Sequence, residues 1–408
     1  MRVRRLCVAL ILLACHSVGS QETESPPAKV KPFNPFGSPE PSPGNVEHER
    51  SIVQRLSAAA DNSQAALAAM DELPQPPTEL ELRVLRNLDR ELAGSDSAEH
   101  RQLVGQGVQA LAMSGEATSL QYLHKVFDSH PSRRAAIAAA LAELALAGKR
   151  RPHEWPLLVR SLTTVKEKQA ERVVAALAKY RDRGTSPVVQ RNVLLVAIAL
   201  GDERAQPALA LLSYWTGARA AATTLPIDEQ LVAWQAWYQK KYPALPAAKL
   251  PVDDPASPHK GQELLAFLQS SEALGEVQRG AVLFEKALCI KCHQFGERGE
   301  RIGPNLTSVS KRLSDEELLQ SLLYPSHQIL DQYATRQIET HEGRVFVGIV
   351  GESAAGLIVL TAEAKKLTIA KDDIAAIVDS PLSAMPTGSI DKLSREEIAD
   401  LFQYLKSE

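Results

Sequence analysis

Sulfur is scarce in this chain, with four cysteines and four methionines among 408 residues. Two of the cysteines, Cys7 and Cys15, fall in the first twenty positions, so a folded body would keep only Cys289 and Cys292. Basic runs are also missing. The formal net charge is −3, and a mildly acidic chain without a basic patch gives no footing for nucleic-acid binding. There is no Walker loop, no nucleophile elbow and no dinucleotide fingerprint, so the common nucleotide and hydrolase chemistries have no foothold. Beyond the first twenty residues no apolar run approaches a membrane-spanning length.

Those first residues have their own character. Arg2, Arg4 and Arg5 precede an apolar run from Leu6 to Ala14, the pattern of a secretory signal over residues 1–20. Two endings are open. Val18-Gly19-Ser20 offers small residues for ordinary cleavage, whereas Leu12-Leu13-Ala14-Cys15 resembles a lipoprotein box that would leave a lipid on Cys15. The expected location is therefore exported and periplasmic, with membrane attachment only through a lipid anchor at Cys15. Residues 21–46 are rich in Pro, Ser and Glu and cannot bury enough surface to offset chain entropy, so a disordered tether is expected there.

From 47 to 246 the sequence reads as nine or ten short helices dominated by Ala and Leu. Gly148 fits a helix stop, Ser186-Pro187 a helix entrance, and Pro207 another first-turn proline. Helices joined by short loops point to stacked hairpins, a helical-repeat domain of HEAT-like general character; no sharp repeat is visible, which leaves an irregular bundle as the alternative. Trp215, Trp234 and Trp237 read either as a docking patch or as packing for the last helices. His100, His124, His130 and His153 are scattered without metal-ligand spacing and read as surface residues. A proline-rich stretch, with residues 247–258 as its centre, separates this half from residues 259–408.

The second half holds the one strong motif, Cys289-Ile290-Lys291-Cys292-His293. Cys-x-x-Cys-His is the attachment signature of c-type haem. Two thiols three residues apart can each bond a vinyl carbon of the porphyrin, and the adjacent imidazole can then reach the iron. A disulfide would not need His293, and zinc normally wants four protein ligands, for which no second Cys/His pair exists. One motif implies one haem. Further on, Thr335–His341, a Glu342-Gly343 turn and Arg344–Val350 read as a hairpin. Gly356–Thr361, Lys366–Ile369 and Ile374–Val378 add strands, so a small β-barrel or curled sheet is expected as an insertion over about 333–379. Ser394 and Glu397 make a capping box for a terminal helix whose apolar face is Ile398, Leu401, Phe402 and Leu405.

A set of residues within about 275–406 resembles the haem-binding domain frequent in Planctomycetes and Verrucomicrobia, a relative of class I cytochromes c. It runs Gly280, Phe284, Cys289, Cys292-His293, Gly303-Pro304, Leu306, Tyr324-Pro325-Ser326, Tyr333, Gly343-Arg344, Gly348, Met385-Pro386, Leu393-Ser394, Leu401 and Tyr404-Leu405. Tyr324 departs from the pattern, which would have an acidic residue. The resemblance implies that the Pro304 carbonyl accepts the second imidazole N–H of His293, and that the first and last helices cross with Gly280 and Phe284 against Tyr404 and Leu405. It also implies Met385 as the iron's sixth ligand, leaving His327 and His341 as alternatives. Its functional implication is single-haem electron transfer, as carrier or electron-accepting subunit, with a dehydrogenase or respiratory component as redox partner and no activity of its own. The competing readings are a haem-based enzyme or sensor with a labile sixth position, and an interaction scaffold built on the helical repeats.

Overall fold

The computed structural model describes residues 43–407 apart from positions 94, 96, 271, 363 and 364. The expected signal, Cys15 and residues 21–42 of the expected tether lie outside the described residues. The tether was expected to reach 46, but a helix already starts at Pro43. Proline suits a first helical turn, where its missing N–H costs nothing, and Ile52 and Leu56 further along give this helix a buried face.

The molecule is mainly helical, with one five-stranded antiparallel sheet. Eleven α-helices occupy the first part among the described residues, rather than nine or ten. They are α1 (Pro43–Ser57), α2 (Ser63–Asp71), α3 (Glu79–Glu91), α4 (Ala98–Ser114), α5 (Ala117–Ser129), α6 (Arg134–Leu144), α7 (Trp155–Ser161), α8 (Glu167–Leu177), α9 (Pro187–Leu200), α10 (Gln206–Thr216) and α11 (Ile227–Lys241). Their ends follow local chemistry: Thr78 and Glu81 form a capping box for α3, and Gly115, Gly201 and Gly217 close α4, α9 and α10 in the left-handed region. Pro187 opens α9 behind Ser186, whose side chain makes no capping bond. Packing runs from α4 to α6, α6 to α8 and α8 to α10, so alternate helices form a row over one continuous apolar core. Trp215 and Trp234 are both buried, Trp215 edge-on to Trp155 and Trp234 edge-on to Trp237. Trp155 and Trp215 therefore join α7 to α10, whereas Trp234 and Trp237 meet along α11 itself.

The proline-rich segment is docked rather than free. Ala248 is buried, Arg191 of α9 donates to the carbonyls of Pro246 and Ala247, and Ser257 donates to Asp391 at 2.7 Å. Beyond it come α12 (Gly261–Leu268), α13 (Val277–Lys286), α14 (Asp315–Leu323) and α15 (Arg395–Leu405), which share a second apolar core. The strands are β1 (Thr335–Thr340), β2 (Val345–Ser353), β3 (Gly356–Leu360), β4 (Lys366–Ile369) and β5 (Ile374–Ser380), in the order β4-β3-β2-β1-β5. The expected barrel does not form. Closure would require β4 to pair with β5, yet β4 is only four residues long and β5 pairs with β1 instead. A barrel also needs a filled interior, and this sheet buries just Ile338, Leu357, Val359 and Ile369 as its apolar cluster.

α13 crosses α15 at Gly280. A Cβ there would lie 2.1 Å from the Asp400 carbonyl oxygen and 2.6 Å from the Tyr404 Cβ, so only glycine permits this approach. Phe284 then meets the Tyr404 ring at 5.7 Å. The buried Asp400 carboxylate ties the crossing together, accepting the Glu276 N–H at 2.7 Å and two Arg279 N–H groups at 2.8 and 2.9 Å. Burial alone would raise the Asp400 carboxyl, but the Arg279 and Glu276 donors outweigh it and hold the group below its ordinary value. Because the folded value is depressed, the stabilisation is complete above the unfolded carboxylate value of about 4 and fades as pH falls through the folded one. Asp400→Ala is expected to cost about 2 kcal/mol at neutral pH, by stranding a backbone N–H. Urea denaturation should show that gap shrinking below about pH 4.

Candidate functional site

The Cys-x-x-Cys-His motif begins where α13 ends. Leu288 turns the chain in the left-handed region at φ 62°, and Cys289–Lys291 forms one 3-10 turn. The N–H groups of Cys292 and His293 both return to the Cys289 carbonyl, at 3.1 and 2.9 Å. This single turn presents Cys289, Cys292 and His293 as neighbours. Both thiols are free and partly buried. Burial pushes Cys289 up to about 11 and raises Cys292 as well, the reverse of the lowered values that make nucleophilic or metal-binding thiolates.

The segment 296–306 then folds back over the motif. The N–H groups of Glu300, Ile302, Gly303 and Leu306 donate to the carbonyls of Ile290, Cys292, Cys292 and Gln294. Two glycines make the wrap possible. Gly299 has φ +92°, with its Cβ position 2.2 Å from the His293 carbonyl oxygen, and a Cβ on Gly303 would strike the His293 ring at 2.7 Å. At the end of the wrap the Pro304 carbonyl lies 2.8 Å from His293 Nδ1. A carbonyl only accepts, so Nδ1 carries the proton and the neutral ring keeps its lone pair on Nε2. Burial lowers the His293 value, against the opposing pull of Pro304, which favours that neutral form. Nε2 takes no hydrogen bond among the described residues. A cavity of about 390 Å³ is lined by Gln294, Arg301, Gly303, Asn305 and Tyr333, and Gly303 is the lining residue that packs on the ring.

Met385 is half-buried against the same apolar core as Cys289, Ile290 and Leu306. Its loop is held from two sides: the Met385 N–H donates to Ser383 Oγ at 3.1 Å, and the Ser383 N–H to Ser326 Oγ at 3.0 Å. The run Tyr324-Pro325-Ser326 thus anchors the methionine loop, a link that sequence reading did not find. Tyr324, where an acidic residue was expected, donates its hydroxyl to Asp253 of the docked proline-rich segment, so the acid comes from another part of the chain. The two histidine alternatives point elsewhere. His327 Nδ1 lies 3.4 Å from Arg191 Nη2 of α9, and burial together with that guanidinium lowers it to about 4. His341 is exposed in the β1–β2 turn.

Four of the five expected site residues, Cys289, Cys292, His293 and Pro304, are therefore contiguous, and Met385 packs on the same core. Among the described residues, the three ligand-type side chains that converge closely enough for an ion are others: His124, His153 and Glu154. The sequence scatters His124 and His153, but α5 lays His124 against the turn before α7, with ring centroids 5.1 Å apart; His153 is exposed as expected, whereas His124 is half-buried. Only the adjacency of His153 and Glu154 was visible in the sequence. No family model matches this chain, and no curated protein matches it.

Proposed function

We propose that residues 259–408 are a class I cytochrome c-like haem domain, and that the protein transfers electrons through one covalently attached haem. The observation that carries the reading is the His293 ring, its proton committed to Pro304 and its Nε2 lone pair free, one residue from Cys292. Cys289 and Cys292 would hold the porphyrin through thioether bonds, and His293 Nε2 and Met385 would be the protein ligands of the iron. When bound, haem supplies a one-electron iron couple, and methionine ligation biases it toward a high potential. The remaining work belongs to the chain. Pro304 fixes the imidazole tautomer and raises its basicity, while the Gly280 crossing holds α13 at the angle that aims the motif. The polar cavity beside His293 gives the site a solvent-facing edge.

The row α4, α6, α8 and α10 supports a HEAT-like solenoid for residues 47–246, and such a surface would dock a dehydrogenase or respiratory component. A leader over 1–20 would place this chemistry outside the cytoplasm, in the periplasm, with Cys15 as the only route to a membrane anchor; among the described residues no helix is long and apolar enough to cross a membrane.

Intact-mass measurement of the denatured protein tests the proposal, with a covalent haem adduct expected and a free or disulfide-linked pair at Cys289 and Cys292 counting against it. Met385→Ala separates electron transfer from ligand-binding chemistry. It should convert a low-spin spectrum to high spin and lower the potential by on the order of 100 mV, a fraction of the ~0.8 V that axial ligands span. An unchanged low-spin spectrum would take the sixth position away from Met385, and a parent that is already high-spin would favour a sensor or enzyme.

A further inference from the structure

The convergence of His124, His153 and Glu154 has no part in the haem reading and stands independently of it. His124 lies on α5, and His153 and Glu154 close the 3-10 turn Pro152–Glu154 that opens α7. One potential ligand atom from each lies within 4.8 Å of the others. Glu154 is 0% exposed. Its Oε2 accepts the Arg151 N–H at 3.0 Å and the Tyr180 hydroxyl at 3.5 Å, while Oε1 is buried with no partner. His124 Nε2 is likewise buried and unpaired. Each unmet polar atom of this kind costs roughly 1–3 kcal/mol, and here two lie in one cluster of three ligand-type side chains. A purely structural capping role for Glu154 accounts for Oε2 and leaves Oε1 unexplained.

We propose that His124, His153 and Glu154 bind a divalent transition-metal ion of the zinc class. Two imidazoles and one carboxylate make the donor set of three-ligand zinc sites, which keep a coordination position for water. The exposed side of His153 is where that water would sit. Zinc bonds of about 2.0–2.2 Å require the three donor atoms to draw closer than their present spacing, and His153, being exposed, is the ring free to swing in. The charges around the site permit this. Arg151, whose charge reaches both His124 and Glu154, is engaged with the Gly115 carbonyl at 2.8 Å, and Asp128 near His124 is paired with Arg160 at 2.7 Å. An ion here would clip α5 to the entrance of α7, and its binding free energy would add to the stability of the helical part.

The test uses the full chain, stripped by chelator, loaded with Zn²⁺ alone and desalted, alongside His153→Ala and Glu154→Gln treated identically. His153 is exposed and Gln retains an acceptor for the Arg151 N–H, so both variants keep the apo fold, which a metal-free melt verifies. Elemental analysis should find one more zinc per chain in the parent than in either variant. Affinity should fall on the order of 100-fold or more, since losing even an outer partner of a ligand costs 10–100-fold. Zinc should raise the melting temperature of the parent only. Cys289 and Cys292 are common to all three proteins, so zinc taken up there cancels in the comparison. Equal zinc content in parent and His153→Ala overturns the assignment.

Discussion

A chain in which both Cys289 and Cys292 are replaced by alanine is expected to emerge colourless after denaturation, whereas the parent keeps its haem spectrum on the unfolded polypeptide. The effect is all-or-none because the covalent link, unlike coordination by His293, survives unfolding. Single variants should each keep a weaker, one-bond attachment, since one thiol still reaches the porphyrin. Unfolding is a poor rival explanation for the loss. Cys289 packs only at the edge of the second apolar core, and both thiols sit partly exposed. The crossing of α13 and α15, held by Phe284, Tyr404 and Asp400, does not depend on either sulfur. Far-ultraviolet circular dichroism of the double variant should therefore show the helical content largely retained. If the parent itself loses all colour on denaturation, the thiols have another use, and the electron-transfer reading goes with it.

How much of this was legible in the sequence depended on the range of the interaction concerned. The thiol pair and its histidine are a local pattern, and a single turn suffices to bring them together. The same holds for α15, whose capping box at Ser394–Glu397 lies within four residues, and for the β1–β2 hairpin with its Gly343 turn. What failed was long-range. The barrel was inferred from the number of strands, but closure is decided by which edges pair, and β5 crosses to β1 instead of meeting β4. His124 and His153 looked unrelated because nothing in their spacing encodes the packing of α5 on the next turn. The Tyr324 hydroxyl found its acid in Asp253, 71 positions away, and His327 found Arg191, 136 positions away. Neither partner was visible from the residues flanking it.

Gly280→Val should destabilise the second core more than any other single substitution considered for this chain. The clash is steric and needs no haem. At Gly280 the two helices approach so closely that a Cβ would sit 2.1 Å from the Asp400 carbonyl oxygen and 2.7 Å from its carbonyl carbon. These are backbone atoms of α15, so no side-chain rotation can relieve the clash and the helices must move apart. Separation would pull Phe284 from Tyr404, loosen Phe295, whose ring is 4.4 Å from Tyr404, and stretch the Asp400 bonds to Arg279 and Glu276. Overpacking a tight core typically costs about 1–3 kcal/mol, and because backbone is what blocks the way here, Gly280→Val should lie at or beyond the upper end. Gly105 in α4 supplies the control, because nothing lies within 4 Å of a Cβ there. Gly105→Ala should stabilise its helix by roughly 0.5–1 kcal/mol through propensity alone. Paired thermal melts should thus move in opposite directions, down for Gly280→Val and up for Gly105→Ala. The α13–α15 crossing also sets the start of the Cys289 turn, so the first variant should carry less haem per chain as well. A Gly280→Val protein with parental stability would mean that α13 does not approach α15 as closely as described, and the positioning of the motif would need another source.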